Sequence, residues 1–153
     1  MREHQFVPEL IVKGGPAALE FYKNVFGATE VDRMMATDGA RLIHSELTLD
    51  GHKFFVCDEF EAHEGGTCMS PLKLGGTGVR ITVFVDDADA VAMRAVAAGG
   101  RISMPVQDMF WGGRYGKMVD PFGHEWGINQ QLREQTNEQT HVAADKYFEE
   151  QKK

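Results

Sequence analysis

Apolar residues along this chain switch between a two-residue period and a helical one, and the switch occurs twice in the same order. Phe6 to Val12 is rich in apolar and β-branched residues, as a strand requires. Gly14-Gly15-Pro16 then suits a helix start, and Leu19, Tyr22, Val25 and Phe26 follow at helical spacing up to Gly27, a helix stop. Thr29 to Met35 reads as a short strand and Thr37-Asp38-Gly39 as a turn. Arg41 to Leu49 alternates, which predicts Ile43, Ser45, Leu47 and Leu49 on one face and Leu42, His44, Glu46 and Thr48 on the other. Asp50-Gly51 predicts a tight hairpin into a strand from Lys53 to Asp58.

The same order returns later. A strand from Val79 to Val85 leads to a helix capped by Asp86 or Asp87, with Val91 and the small Ala92, Ala95 and Ala98, up to Gly99-Gly100. Strands follow around Arg101 to Met104, Tyr115 to Asp120 and Glu125 to Asn129. Val12 and Gly27 are as far apart as Val85 and Gly100, and each unit ends in a hairpin with a Gly-His pair, Gly51-His52 and Gly123-His124. The expected fold class is α+β: two tandem β-α-β-β-β units, about 6–60 and 78–130, forming a curved mixed sheet around a cleft. The two repeats make one domain over 1–130. Residues 59–78, with two Gly-Gly pairs and Pro71, read as an irregular linker or flap. Residues 131–153 read as a polar helical tail with a narrow apolar stripe at Ala144, Tyr147 and Phe148.

Composition narrows the function class. With 42% hydrophobic and 25% charged residues, the 153-residue chain has the make-up of a globular protein with its own core. The net charge is −7 and the basic residues are dispersed, so a nucleic-acid surface has little support. No apolar run is long enough to span a bilayer, and the N-terminus runs straight into a strand, so a cytoplasmic protein without a membrane partner is expected. Cys57 and Cys68 form no CxxC pair and are expected as reduced thiols.

Several segments together resemble a known family. They are Ala18-Leu19-Glu20-Phe21-Tyr22-Lys23 with Phe26-Gly27-Ala28, His44-Ser45-Glu46-Leu47, Leu74-Gly75-Gly76-Thr77, Phe110-Trp111-Gly112-Gly113-Arg114-Tyr115-Gly116, and Asp120-Pro121-Phe122-Gly123-His124-Glu125-Trp126. In this order they resemble the vicinal-oxygen-chelate superfamily of glyoxalase I, bleomycin- and fosfomycin-resistance proteins and extradiol dioxygenases, and more closely its PhnB-like branch. The resemblance covers about residues 6–130. It implies a homodimer whose curved sheets form an open cleft. Members of that branch have been labelled ubiquinone-pathway methyltransferases, but this chain has no glycine-rich strand-to-helix loop of the kind that holds S-adenosylmethionine.

The superfamily's enzymes hold a divalent metal with His and Glu side chains. Aligned by the helix and glycine marks, those positions fall on Val7 and Arg80, near Phe55 or Cys57, and on Gly127. Valine and glycine offer no ligand atom, and an arginine repels the ion. No metal and no other cofactor is therefore expected at the standard site. A substitute divalent site would use His44 and Glu46, on one strand face, with Cys57 or His4 as a third group. The bland alternative is a polar pair in a solvated cleft.

Phe110-Trp111-Gly112-Gly113-Arg114-Tyr115-Gly116 is the densest binding candidate. Phe110, Trp111 and Tyr115 offer flat apolar area, and Arg114 a planar fork for an anion or a pairing with an acid such as Asp108. Arg80 and Phe55 complete the ligand-binding set, with Glu46 as the expected acid partner of Arg80. Cys57 is expected to be buried and inert, and His124 and its counterpart His52 to serve the turns.

Three functions compete. The first reading is a homodimer that binds a small organic ligand without the standard metal. A second is a metal-dependent lyase, isomerase or dioxygenase with His44 or Glu46 as base. A third is a non-catalytic interaction module. The residues leave catalysis open.

Overall fold

The computed structural model describes residues 5–152. The first repeat is β1 (Glu9–Val12), α1 (Gly15–Phe26), β2 (Thr29–Met35), β3 (Leu42–Leu49) and β4 (His52–Asp58). The second is β5 (Arg80–Phe84), α3 (Ala88–Ala97), β6 (Arg101–Asp108), β7 (Gly113–Val119) and β8 (Glu125–Gln131). Each repeat makes a four-stranded mixed sheet, in the orders β1-β4-β3-β2 and β5-β8-β7-β6. The first strand of each repeat runs parallel to the last, and the other pairs are antiparallel. The fold class is α+β, with two unclosed sheets each covered on one face by a helix.

Local chemistry explains most of these elements. Gly27 ends α1 in the left-handed region at φ 75°, and its N–H returns to the Lys23 carbonyl. Asp50 and Gly51 both take positive φ, 48° and 80°, the signature of a two-residue hairpin turn. Asp87 caps α3 by accepting from the Ala90 N–H at 2.9 Å.

Three expectations change. In β3, Met34 pairs with His44 but Met35 with Leu42, so Ile43 is an extra residue. This bulge shifts the alternation: Leu42 joins Ser45 and Leu47 inside, and Ile43 is turned out, 48% exposed. In the second repeat, β6 runs on through Pro105 to Asp108. A proline is tolerated there because β6 is an edge strand. The segment between the repeats is more structured than expected, with a 3-10 turn (Ala62–Glu64) and a short helix α2 (Pro71–Leu74). Arg41 holds Glu64 through both terminal nitrogens, at 3.0 and 2.8 Å, and Glu59 accepts from the Ser70 N–H at 2.9 Å.

The core joins the repeats through their helix-covered faces. Tyr22 of the first meets Phe122 and Trp126 of the second, Phe26 also meets Trp126, and Phe54 backs Tyr22. Buried Asp120 ties the junction: Oδ2 accepts from Tyr22 Oη at 2.8 Å and Trp126 Nε1 at 2.9 Å, and Oδ1 from the Phe122 and His124 N–H groups. His124 does bond a backbone carbonyl, but that of Ile11 in the other repeat, at 2.8 Å. The tail forms α4 (Asn137–Glu150), opened by a Thr136/Gln139 capping box. It meets the body where Phe110 packs on Tyr147 and Phe148. No helix among the described residues is long and apolar enough to cross a membrane.

Candidate functional site

Strand alternation decides which side chains share a surface. In the first sheet, Phe54, Val56 and Asp58 of β4 face α1, so Phe55 and Cys57 point to the uncovered face. The ladder places Glu46 beside Phe55, and His44 lies two residues along β3 on the same face. His44 and Glu46 therefore share a face, and Phe55 of the neighbouring strand lies beside them. The His44 and Phe55 rings meet edge to face, 4.7 Å between centroids. Glu46 pairs with Lys53 at 2.8 Å. Arg80, expected as the partner of Glu46, instead pairs with Glu125 at 2.6 Å, because it faces its own parallel neighbour in the second sheet.

The uncovered face of the second sheet gathers Arg80, Thr82, Tyr115, Gly127 and Asn129. The ladder pairs Thr82 with Gly127 and Tyr115 with Asn129. Gly127 is the key position. A Cβ there would stand 2.6 Å from Tyr115 Oη and 2.7 Å from Thr82 Oγ1, so the tyrosine ring occupies the volume that any side chain would need. Trp111 meets Tyr115 at 5.6 Å, nearly edge on, and its Nε1 donates to Asn129 Oδ1 at 3.4 Å. Gly113 makes room for that contact, since a Cβ would lie 2.7 Å from Trp111 Nε1.

Two expected members of the binding set sit elsewhere. Arg114 neighbours Gln130 in the ladder, and Gln130 Oε1 accepts from the Ala88 N–H at the start of α3. Arg114 is thus on the helix-covered side, where Asp89 holds it at 2.6 and 3.0 Å and Asp108 at 2.7 Å. These bonds, Asp89 first, push its pKa further up. The acid pairing with Asp108 is the one that forms, and the fork is turned away from Tyr115. Phe110 points at α4, on Tyr147 and Phe148, and touches the open face only through Trp111 at 5.0 Å.

Electrostatics temper the reactive candidates. Burial, then neighbouring Glu9, pushes the Cys57 thiol up to about 12, so it is protonated at neutral pH. Glu125, with Tyr115 adding to it, holds Arg80 charged. Among the described residues no group of three or more His, Cys, Asp or Glu side chains is placed to hold a metal ion. His4 lies outside the described residues. The residues at the family's metal positions do not fit a divalent ion: Arg80 is a cation tied to Glu125, and the space at Gly127 is filled by Tyr115.

Asn129 is the site residue that sequence reasoning missed. It is only 4% exposed, yet polar and on the open face, with its side-chain oxygen engaged by Trp111. The alternation Glu125, Gly127, Asn129 in β8 carries the signal.

Comparison with known proteins follows the same lines. A family model described as the Glyoxalase/Bleomycin resistance protein/Dioxygenase superfamily matches residues 4–128. An uncharacterized Mycobacterium tuberculosis protein is 40% identical over 127 residues, 83% of this chain and 74% of the relative. The crystal structure of TioX from Micromonospora sp. superposes with a TM-score of 0.65 and 30% identity, covering 85% of this chain and all, 100%, of that one. A PhnB protein from Bacillus cereus, described as a putative 3-demethylubiquinone-9 3-methyltransferase, superposes with a TM-score of 0.64 over 83% of this chain and 99% of its own. At 20% identity it shares the fold alone.

Proposed function

The chain belongs to the glyoxalase/bleomycin resistance protein/dioxygenase superfamily, and on that footing we propose that it is a homodimer that binds a small, planar organic ligand on the open faces of its sheets, without the metal site of the superfamily's enzymes. The observation that carries this reading is Tyr115 lying across Gly127. At a position where the superfamily's metal enzymes place a ligand, this chain has a flat ring with a phenol at its end. Trp111 extends that ring surface, and Arg80 and Asn129 put hydrogen-bonding groups beside it. Flat faces with a few fixed polar groups are what a planar organic ligand needs for burial and orientation.

The first sheet supports binding better than catalysis. A general base must be free to take a proton, and Glu46 is held by Lys53 at 2.8 Å. His44 lies against Phe55 rather than against a carboxylate that would orient it. Dimerisation is supported by Met34, a large apolar residue left 53% exposed on the uncovered face of the first sheet.

Tryptophan fluorescence tests the reading. A panel of planar aromatic carbonyl compounds, amines and carboxylates is titrated into the full chain, with sedimentation measured alongside. At least one class is expected to bind with a change in Trp111 emission that vanishes in Trp111→Phe, and the chain is expected to sediment as a dimer. A monomer that binds none of them, or binding indifferent to both Trp111→Phe and Tyr115→Phe, contradicts it.

A further inference from the structure

The two repeats are sealed against each other on one side and left open on the other. In the second repeat the Asp120 N–H donates to the His124 carbonyl at 2.9 Å, closing a three-residue turn. Its middle residue, Phe122, is buried against Phe21 and Tyr22, with ring centroids 6.2 and 6.3 Å apart. Beside this plug, His124 latches onto the Ile11 carbonyl at 2.8 Å.

The first repeat has neither plug nor latch. Leu49 pairs with His52 across Asp50-Gly51, a turn one residue shorter and without an aromatic. His52 is exposed. Phe84, the counterpart of Ile11 in the repeat, is 67% exposed. Between this hairpin and β5 lies a cavity of about 360 Å³, lined among others by Phe26, Phe54, Trp126, Ile81, Val83 and Phe84. A second hollow shares Leu49, Asp50 and Phe84 with it and reaches Asp86, Asp87 and Arg94 at α3.

We propose that this groove is a binding site for a small aromatic molecule of one or two fused rings, distinct from the site of Tyr115 and Asn129, with only Thr82 and Phe84 at its rim belonging to the open face of the second sheet. Neither His44, Glu46, Tyr115 nor Asn129 lines it. The molecule itself shows what fits such a joint, since its other side is filled by a phenyl ring and an imidazole. The volume lies in the range of small-ligand pockets. Phe84 offers an exposed ring, buried Trp126 and Phe54 form an apolar floor, and a bound ring would remove Phe84 from water. Charge sets the substituent. Asp50, Asp86 and Asp87 stand along the groove and outnumber Arg94, while Lys53 is paired with Glu46. The groove favours a neutral ring or one bearing an amine, and opposes a carboxylate.

The test uses indole, tryptamine and indole-3-acetate on the ¹⁵N-labelled full chain, followed by amide chemical shifts. Indole and tryptamine are expected to bind with Kd of about 1 mM or tighter, shifting residues 81–84, Phe54 and the Trp126 indole N–H. Indole-3-acetate is expected to bind several-fold more weakly. Replacing Asp50-Gly51 by Pro-Phe-Gly, the turn of the second repeat, is expected to weaken binding about tenfold or more, as the plug excludes the ring. If that graft does not fold, Phe84→Ala, at an exposed wall, decides: a several-fold loss is expected. Absence of shifts at these residues, equal binding of all three probes, unchanged affinity in a folded graft or in Phe84→Ala, or a dimer whose partner covers the groove would overturn the proposal.

Discussion

Tyr115 lies across Gly127, with the phenol oxygen 2.6 Å from where a Cβ would stand. The contact makes one residue's missing side chain the condition for the other's position. Gly127→Ala is therefore expected to lower stability by about 1–3 kcal/mol. Adding Tyr115→Ala should recover part of that loss, because the ring that clashes is gone. The measurement is denaturant unfolding of the two single variants and the double, and additive effects would show that the two side chains do not compete for the same space.

Asp120 accepts four hydrogen bonds while 4% exposed, which makes it the polar hinge of the junction between repeats. Asp120→Ala leaves Tyr22 Oη and Trp126 Nε1 buried without an acceptor. A loss of about 3 kcal/mol or more in unfolding free energy is expected, whereas Tyr22→Phe should cost about 1–2 kcal/mol.

Alkaline pH reads the same junction. Burial first, and then Asp120, raise the Tyr22 pKa well above its ordinary 10.0. The folded state thus keeps its phenol proton where the unfolded chain gives it up. The sign follows: this contribution is fully present below pH 10 and is lost as pH rises above it towards the folded value. Stability measured between neutral pH and pH 11 should fall less steeply in Tyr22→Phe than in the parent. Equal slopes would contradict the assignment.

Only one of the two thiols should react. Cys68 is exposed, and the half-buried Cys57 has its pKa pushed up to about 12. A chromogenic disulfide reagent at pH 8 is expected to modify one cysteine rapidly in the native chain, and Cys68→Ser should abolish that fast phase. A fast phase that survives Cys68→Ser would mean that Cys57 is a reactive thiol.

Arg114 separates a loop's appearance in sequence from its role in space. Its two acids are partly exposed, so Arg114→Ala should cost about 1 kcal/mol or less and leave ligand affinity on the open face unchanged. Trp111→Ala should weaken that affinity. A large affinity loss from Arg114→Ala with normal unfolding would put Arg114 in the site after all.

How much was legible depends on what each residue answers to. The helix stop at Gly27, the Asp50-Gly51 turn and the Asp87 cap follow from backbone chemistry within a few residues, and they fall where expected. The phase of β3 does not, because the bulge at Ile43 exists to bring Leu42 onto the core beneath Gly15 and Asp58; a Cβ on Gly15 would lie 2.6 Å from the Leu42 side chain. Arg114 and Tyr115 are adjacent in sequence and so point to opposite faces of β7, a fact that a motif read as one cluster hides. The sequence offers Arg80 the Glu46 carboxylate across the cleft, but a parallel neighbour in its own sheet, Glu125, is the nearer acid. Asn129 was missed since a single buried amide in a strand resembles solvent-facing polarity until its ladder partner is known.

Elemental analysis of the untagged protein, before and after dialysis against a chelator, tests the central claim most directly. The account predicts no stoichiometric transition metal, an unchanged fold after chelation, and unchanged binding to the open face. About one tightly held transition-metal ion per chain that survives dialysis and is lost in His44→Ala or Glu46→Gln would contradict it, and would return the chain to the metal-dependent enzymes of its superfamily.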